Sequence, residues 1–129
     1  RGVVLSAARI DAAAGALAWL GVGNVEGVLS LARPAASRRS RDRERLIPDA
    51  GVLGSRLPPL HPRALPLEPG DLLIFATDGV DIAFADERPP SGSPREIAKR
   101  LLATHGRSTD DALVLAVRYL GPTDGASPA

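Results

Sequence analysis

Three aspartates stand where the neighbouring residues give them no local use. Asp78 closes the stretch GDLLIFATDGV, residues 70–80, in which the apolar run before it reads as a strand buried on both faces. Asp110 and Asp111 open a second apolar run, DALVLAVRY, residues 111–119 with Asp110 just before it. If the strands at 71–77 and 112–119 are antiparallel neighbours, the exit of one lies beside the entrance of the other, and the carboxylates converge at one sheet edge. Their mutual repulsion is costly unless a cation neutralises it. Oxygen donors without cysteine, and without a histidine pair at metal spacing, favour Mg²⁺ or Mn²⁺ over Zn²⁺. His61 stands among prolines and His105 at a helix end, so both are expected at the surface rather than as ligands. A plainer reading of Asp78-Gly79 is a turn in which the aspartate accepts a local hydrogen bond. Spacing leaves both readings open.

The elements that would position these residues are mostly short strands. Residues 2–10 and 16–22 are apolar runs joined by DAAAG, where Asp11 and Gly15 suit a hairpin turn. A strand at 25–31 follows a second turn at Gly23-Asn24. Between 48 and 70 the chain is broken by proline and glycine, with room for short strands near 50–53 and 63–67. SPREIAKRLLATHG, residues 93–106, predicts the clearest helix: Ser93 as N-cap, Pro94 at the first position, Glu96 completing a capping box and Gly106 as terminator. Ile97, Ala98, Leu101 and Leu102 form its apolar stripe. The glycines at 21, 23 and 27 miss the dinucleotide fingerprint, because the third falls one position late and no helix follows; a tight hairpin accounts for them.

Composition excludes several classes. With 129 residues, 44% apolar and 24% charged, the chain is globular and long enough for one domain with a core. The absence of cysteine removes disulfides, thiolate zinc sites and cysteine nucleophiles, and favours a cytoplasmic home. The longest apolar region, 2–32, is interrupted by Arg9, Asp11 and Glu26 and supplies no membrane span. A net charge of +1 gives no general pull toward nucleic acid. The segment RPAASRRSRDRER, residues 33–45, holds six arginines without an aromatic residue to stack on a base; it reads as a solvated loop, or else a docking patch for an acidic partner. No initiating methionine or signal pattern is present, so the chain reads as a fragment.

GDLLIFATDGV followed some thirty residues later by STDDALVLAVRY resembles the carboxyl-terminal half of the metal-dependent serine/threonine protein phosphatases, the protein phosphatase 2C family. LAWLGVGNVEGVL at 17–29 and GVLGSRLPPL at 51–60 are similar to its bacterial SpoIIE/RsbX-like branch. The resemblance implies an α+β fold, an α-β-β-α layered sandwich of two antiparallel sheets flanked by helices. It implies that Asp78 and Asp110 are metal ligands, with Gly79 and Asp111 in supporting positions. It also implies two Mn²⁺ or Mg²⁺ ions in the complete domain. The family's bridging aspartate belongs to an earlier DG element, which this chain lacks. Residues 1–120 are therefore expected to be the carboxyl-terminal portion of a single domain incomplete at its amino terminus, with 121–129 a flexible tail. Arg1 matches a phosphate-binding arginine by residue type alone.

The activity so implied is that of a protein serine phosphatase of the RsbX type, acting on phosphorylated stress-response (stressosome) regulators, with no nucleic-acid or membrane partner. A catalytically inactive, phosphatase-like regulatory or binding module is the alternative. An unrelated α+β domain in which the aspartates cap turns is the third.

Overall fold

The apolar run that leads to Asp78 is the centre of the molecule. In the computed structural model, which describes residues 2–33, 42–55, 57, 59–89 and 91–122, all five residues of the strand Leu72–Ala76 are buried. Seven strands and one helix follow the chain in the order β1 (Leu5–Asp11), β2 (Ala16–Val22), β3 (Glu26–Ser30), β4 (Arg43–Leu46), β5 (Arg63–Pro66), β6 (Leu72–Ala76), α1 (Pro94–His105) and β7 (Val114–Arg118). A 3₁₀ turn at Ile82–Ala85 lies between β6 and α1. The strands make two antiparallel sheets, ordered β1-β2-β5 and β4-β3-β6-β7. This is the expected α+β sandwich, with one α-helix among the described residues.

Alternation explains the layering. Leu17 and Trp19 of the first sheet and Leu29, Leu73 and Phe75 of the second point into one cluster between the sheets, joined by Leu46, Leu67 and Tyr119. The intervening residues Val28, Leu72, Ile74 and Ala76 face the other way and meet Ile97 and Leu101 of α1, with Val80, Phe84 and Ala85. Thus β6 needs an apolar residue at every position because it is covered on both faces.

The predicted helix forms with its predicted caps: the Ser93 side chain accepts from the Glu96 amide, and the Glu96 carboxylate accepts from the Ser93 amide at 2.9 Å. Its buried stripe is narrower than expected, since Ile97 and Leu101 are buried whereas Leu102 is exposed. Gly106 closes the helix in an extended conformation, φ −65°, not the left-handed one. The β1–β2 hairpin turns as the sequence indicates, with Asp11 accepting from the Ala14 amide at 3.0 Å and Gly15 at φ +61°.

Two expectations need correction. The basic segment 33–45 is not loop throughout: Arg43–Leu46 is strand β4, paired with β3 from Gly27↔Leu46 to Ser30↔Arg43. Arg45 is held by Glu26 at 3.3 Å and Arg43 by Asp42 at 3.3 Å, so two of the six arginines serve the sheet. Arg1, Arg38, Arg39, Arg41 and residues 123–129 of the expected tail lie outside the described residues. Near 50–53 the described residues form isolated bridges, Val3↔Leu53 among them, and not a strand.

Candidate metal centre

The antiparallel pairing on which the carboxylate argument depends is present. Strands β6 and β7 run from Leu72↔Arg118 to Ala76↔Val114. Past Ala76 the pairing continues through a polar clasp: the Thr77 amide donates to the Leu113 carbonyl at 3.1 Å, and the Leu113 amide donates to the Thr77 hydroxyl at 2.9 Å. Asp78 is the next residue on one strand, and Asp111 and Asp110 lie just upstream on the other. The structure therefore delivers all three aspartates, each exposed, to one end of the four-stranded sheet.

Residues 77–80 form a turn closed by the Val80 amide donating to the Thr77 carbonyl at 3.0 Å. The turn is stitched to the end of α1 and the segment after it: the Asp81 amide donates to the His105 carbonyl at 2.8 Å, and the Arg107 amide to the Gly79 carbonyl at 2.8 Å. Gly79 is required here by close packing. A β-carbon at this position would overlap the backbone oxygen of Asp111. Any side chain at 79 would thus push apart the two segments that carry the aspartates.

The carboxylates of Asp78 and Asp110 each have an orienting contact. The Asn24 side-chain amide donates to one oxygen of Asp78 at 2.9 Å, across 54 residues of sequence. Asp110 accepts the Asp111 amide at 2.9 Å, which fixes one of its oxygens by a local turn. The sequence marked Asn24 only as a hairpin residue. Its one detectable signal was a polar amide in a tight turn between two apolar strands.

Neither histidine ring bonds to the three aspartates. His61 is exposed, and its ring hydrogen bond to Asp49 at 3.1 Å holds that carboxyl below its usual range. His105 corrects the expectation of a surface residue: its side chain is only 9% exposed and contacts Glu87 at 3.1 Å.

The donor chemistry at the sheet end suits a hard divalent cation in type, since both candidates are carboxylates. In number it does not make a complete site: among the described residues no three Asp, Glu, His or Cys side chains gather closely enough to hold an ion.

No protein-family model and no curated protein matches the chain. Solved structures do. A structure from work on the bacterial stressosome, as a modular system adapted to control secondary messenger signalling, aligns with TM-score 0.70 at 22% identity, over 91% of this chain and 59% of its own. RsbX in complex with magnesium aligns with TM-score 0.68 at 22% identity, over 90% of this chain and 55% of its own. The phosphatase domain of the cell fate determinant SpoIIE from Bacillus subtilis, presoaked with manganese, aligns with TM-score 0.65 at 22% identity, over 93% of this chain and 57% of its own. The chain therefore has the fold of these structures and spans less than three-fifths of their length.

Proposed function

We propose that residues 1–120 are the carboxyl-terminal portion of a metal-dependent protein serine phosphatase of the RsbX type, acting in the cytoplasm on phosphorylated stress-response regulators. The observation that carries this reading is the delivery of Asp78 and Asp110 to one sheet end by adjacent antiparallel strands, in a fold shared with RsbX and SpoIIE. No helix among the described residues is long and apolar enough to cross a membrane.

In this reading Asp78 and Asp110 hold Mn²⁺ or Mg²⁺ and neither donates nor removes a proton. When bound, such ions lower the pKa of a coordinated water and neutralise charge that develops on phosphoryl oxygens. The protein's own work is positional. Asn24 fixes one oxygen of Asp78, leaving the other to be aimed by the turn, and the Asp111 amide does the same for Asp110. Gly79 keeps the two strands close enough to act together.

A second reading, a phosphatase-like module without chemistry, is favoured by one observation: the described residues supply two candidate ligands and no third. Turnover of an aryl phosphate and of a phosphoserine protein, measured with the full gene product in excess Mn²⁺, separates the two. The enzyme reading expects metal-dependent turnover that Asp78→Asn reduces by more than the roughly 10–100-fold typical of losing an outer-shell partner. Asn24→Ala is expected to fall within that smaller range. Turnover that neither EDTA nor Asp78→Asn changes overturns the assignment, and no turnover at all supports the binding module.

A further inference from the structure

The four-stranded sheet has a second polar end. Opposite the aspartates, the end of β3 at Ser30, the start of β6 at Leu72 and the end of β7 at Arg118 meet Arg88, Pro89 and Ser91 around a cavity of about 180 Å³. Its charged lining is Arg88, Arg118 and Asp42, and its hydroxyls are those of Ser30 and Ser91.

The arginines lack the counter-charge that such a place calls for. Arg118 is half-buried and uses one guanidinium nitrogen on the Gly92 carbonyl at 2.9 Å; it has no acidic partner among the described residues. Arg88 has neither a hydrogen bond nor an ion pair among them. Asp42 does not serve, because its carboxylate is engaged by Arg43 at 3.3 Å. Asp71, buried beneath this end, does not serve either: its two oxygens accept the Ala32 amide and the Glu68 amide, each at 2.9 Å. Those bonds fix the backbone at Ala32, which lines the cavity, so the floor is built rather than incidental.

Two guanidinium groups facing one cavity repel each other, and the partial burial of Arg118 adds a desolvation cost. An oxyanion relieves both, because the planar fork of arginine matches phosphate oxygens and adjacent hydroxyls complete the donor set. At about 30 Å³ of liquid per water, the volume is ample for a tetrahedral oxyanion with a substituent. We infer that this cavity is a binding site for a phosphate group, held by Arg88 and Arg118 and separate from the carboxylate end. Four strand steps divide the two ends, from Leu72 to Ala76 and from Arg118 to Val114, or about 13 Å. A ligand here leaves Asp78 and Asp110 accessible.

The test is calorimetric titration of the protein in EDTA, which removes any metal-held phosphate, with chloride matching the ionic strength. Inorganic phosphate and a phosphoserine peptide are the two probes. One saturable site is expected, weakened about tenfold by Arg88→Ala, as befits the loss of one charge-assisted pair. Arg88 has no partner to lose among the described residues, so this variant is expected to keep the native circular dichroism spectrum. Arg118→Lys, which retains the charge without the fork, is expected to weaken binding less than Arg88→Ala does. Tighter binding of the free ion would identify a small-molecule ligand, and tighter binding of the peptide a phosphoprotein. Absence of saturable binding, or binding that Arg88→Ala leaves intact, overturns the site.

Discussion

The two sheets are built from similar lengths of strand yet are finished differently. In the four-stranded sheet β6 is buried along its whole length, between the inter-sheet cluster on one face and α1 with the 3₁₀ turn on the other. In the three-stranded sheet the inner face is packed through Leu17 and Trp19, but β1 has only Ser6 partly covered, with Leu5 45% and Ile10 36% exposed. The difference teaches where this chain concentrates its stability. Apolar residues on β6 are removed from water by two layers, whereas Leu5 and Ile10 on β1 are only partly removed from it. It also places both candidate sites at the two ends of β6 and β7, in the sheet whose central strand is packed on both faces.

The sharpest way to break this comparison is at the helix–sheet contact. Ile97 is fully buried against β6, and Ile97→Ala is expected to cost about 2–5 kcal/mol in chemical denaturation. A cost below about 1 kcal/mol would mean that α1 is not what closes this sheet. Next in size is Gly79→Ala, where the added carbon meets the Asp111 backbone; about 1–3 kcal/mol is expected. Hydrogen exchange should locate that damage, with the Thr77 and Leu113 amides losing protection first.

On the other sheet Leu5→Thr and Ile10→Thr are expected to change stability by no more than about 0.5 kcal/mol. A loss as large as that of Ile97→Ala would show that β1 is covered in solution, and the contrast between the sheets would fall. The smallest effect is at the cap of α1. Hydrogen bonding by Ser93, its backbone amide foremost, holds the Glu96 carboxyl below its usual 4.5. A depressed folded value means that the contribution is present above pH 4.5 and is lost as pH falls through the folded value. Acid titration of helicity should therefore show a modest decline below that pH, attenuated in Glu96→Gln. Asp49 titrates with the same sign through His61, so the comparison with the variant isolates the cap.

Elements with a local cause were legible in the sequence. The capping box of α1 and the Asp11–Gly15 turn rest on contacts only three or four residues apart, so residue type and spacing were enough. The apolar run of β6 announced burial on both faces for the same reason. Strand β4 was not legible, because Arg43 and Arg45 are charged and become strand only through pairing with β3 and an ion pair to Glu26. Leu102 and the short bridge at Leu53 misled in the opposite direction, since apolar character does not say what lies opposite it.

The candidate sites divide in the same way. Sequence by itself determined that Asp78 and the pair Asp110 and Asp111 stand at the ends of two apolar runs, because an abrupt change from buried to charged is written along the chain. Only the tertiary structure decided that these ends are neighbours, that Asn24 reaches Asp78 across 54 residues, and that Arg88 and Arg118 share a cavity at the far end. Those relations depend on strand order, and strand order is a choice among pairings that no single segment contains.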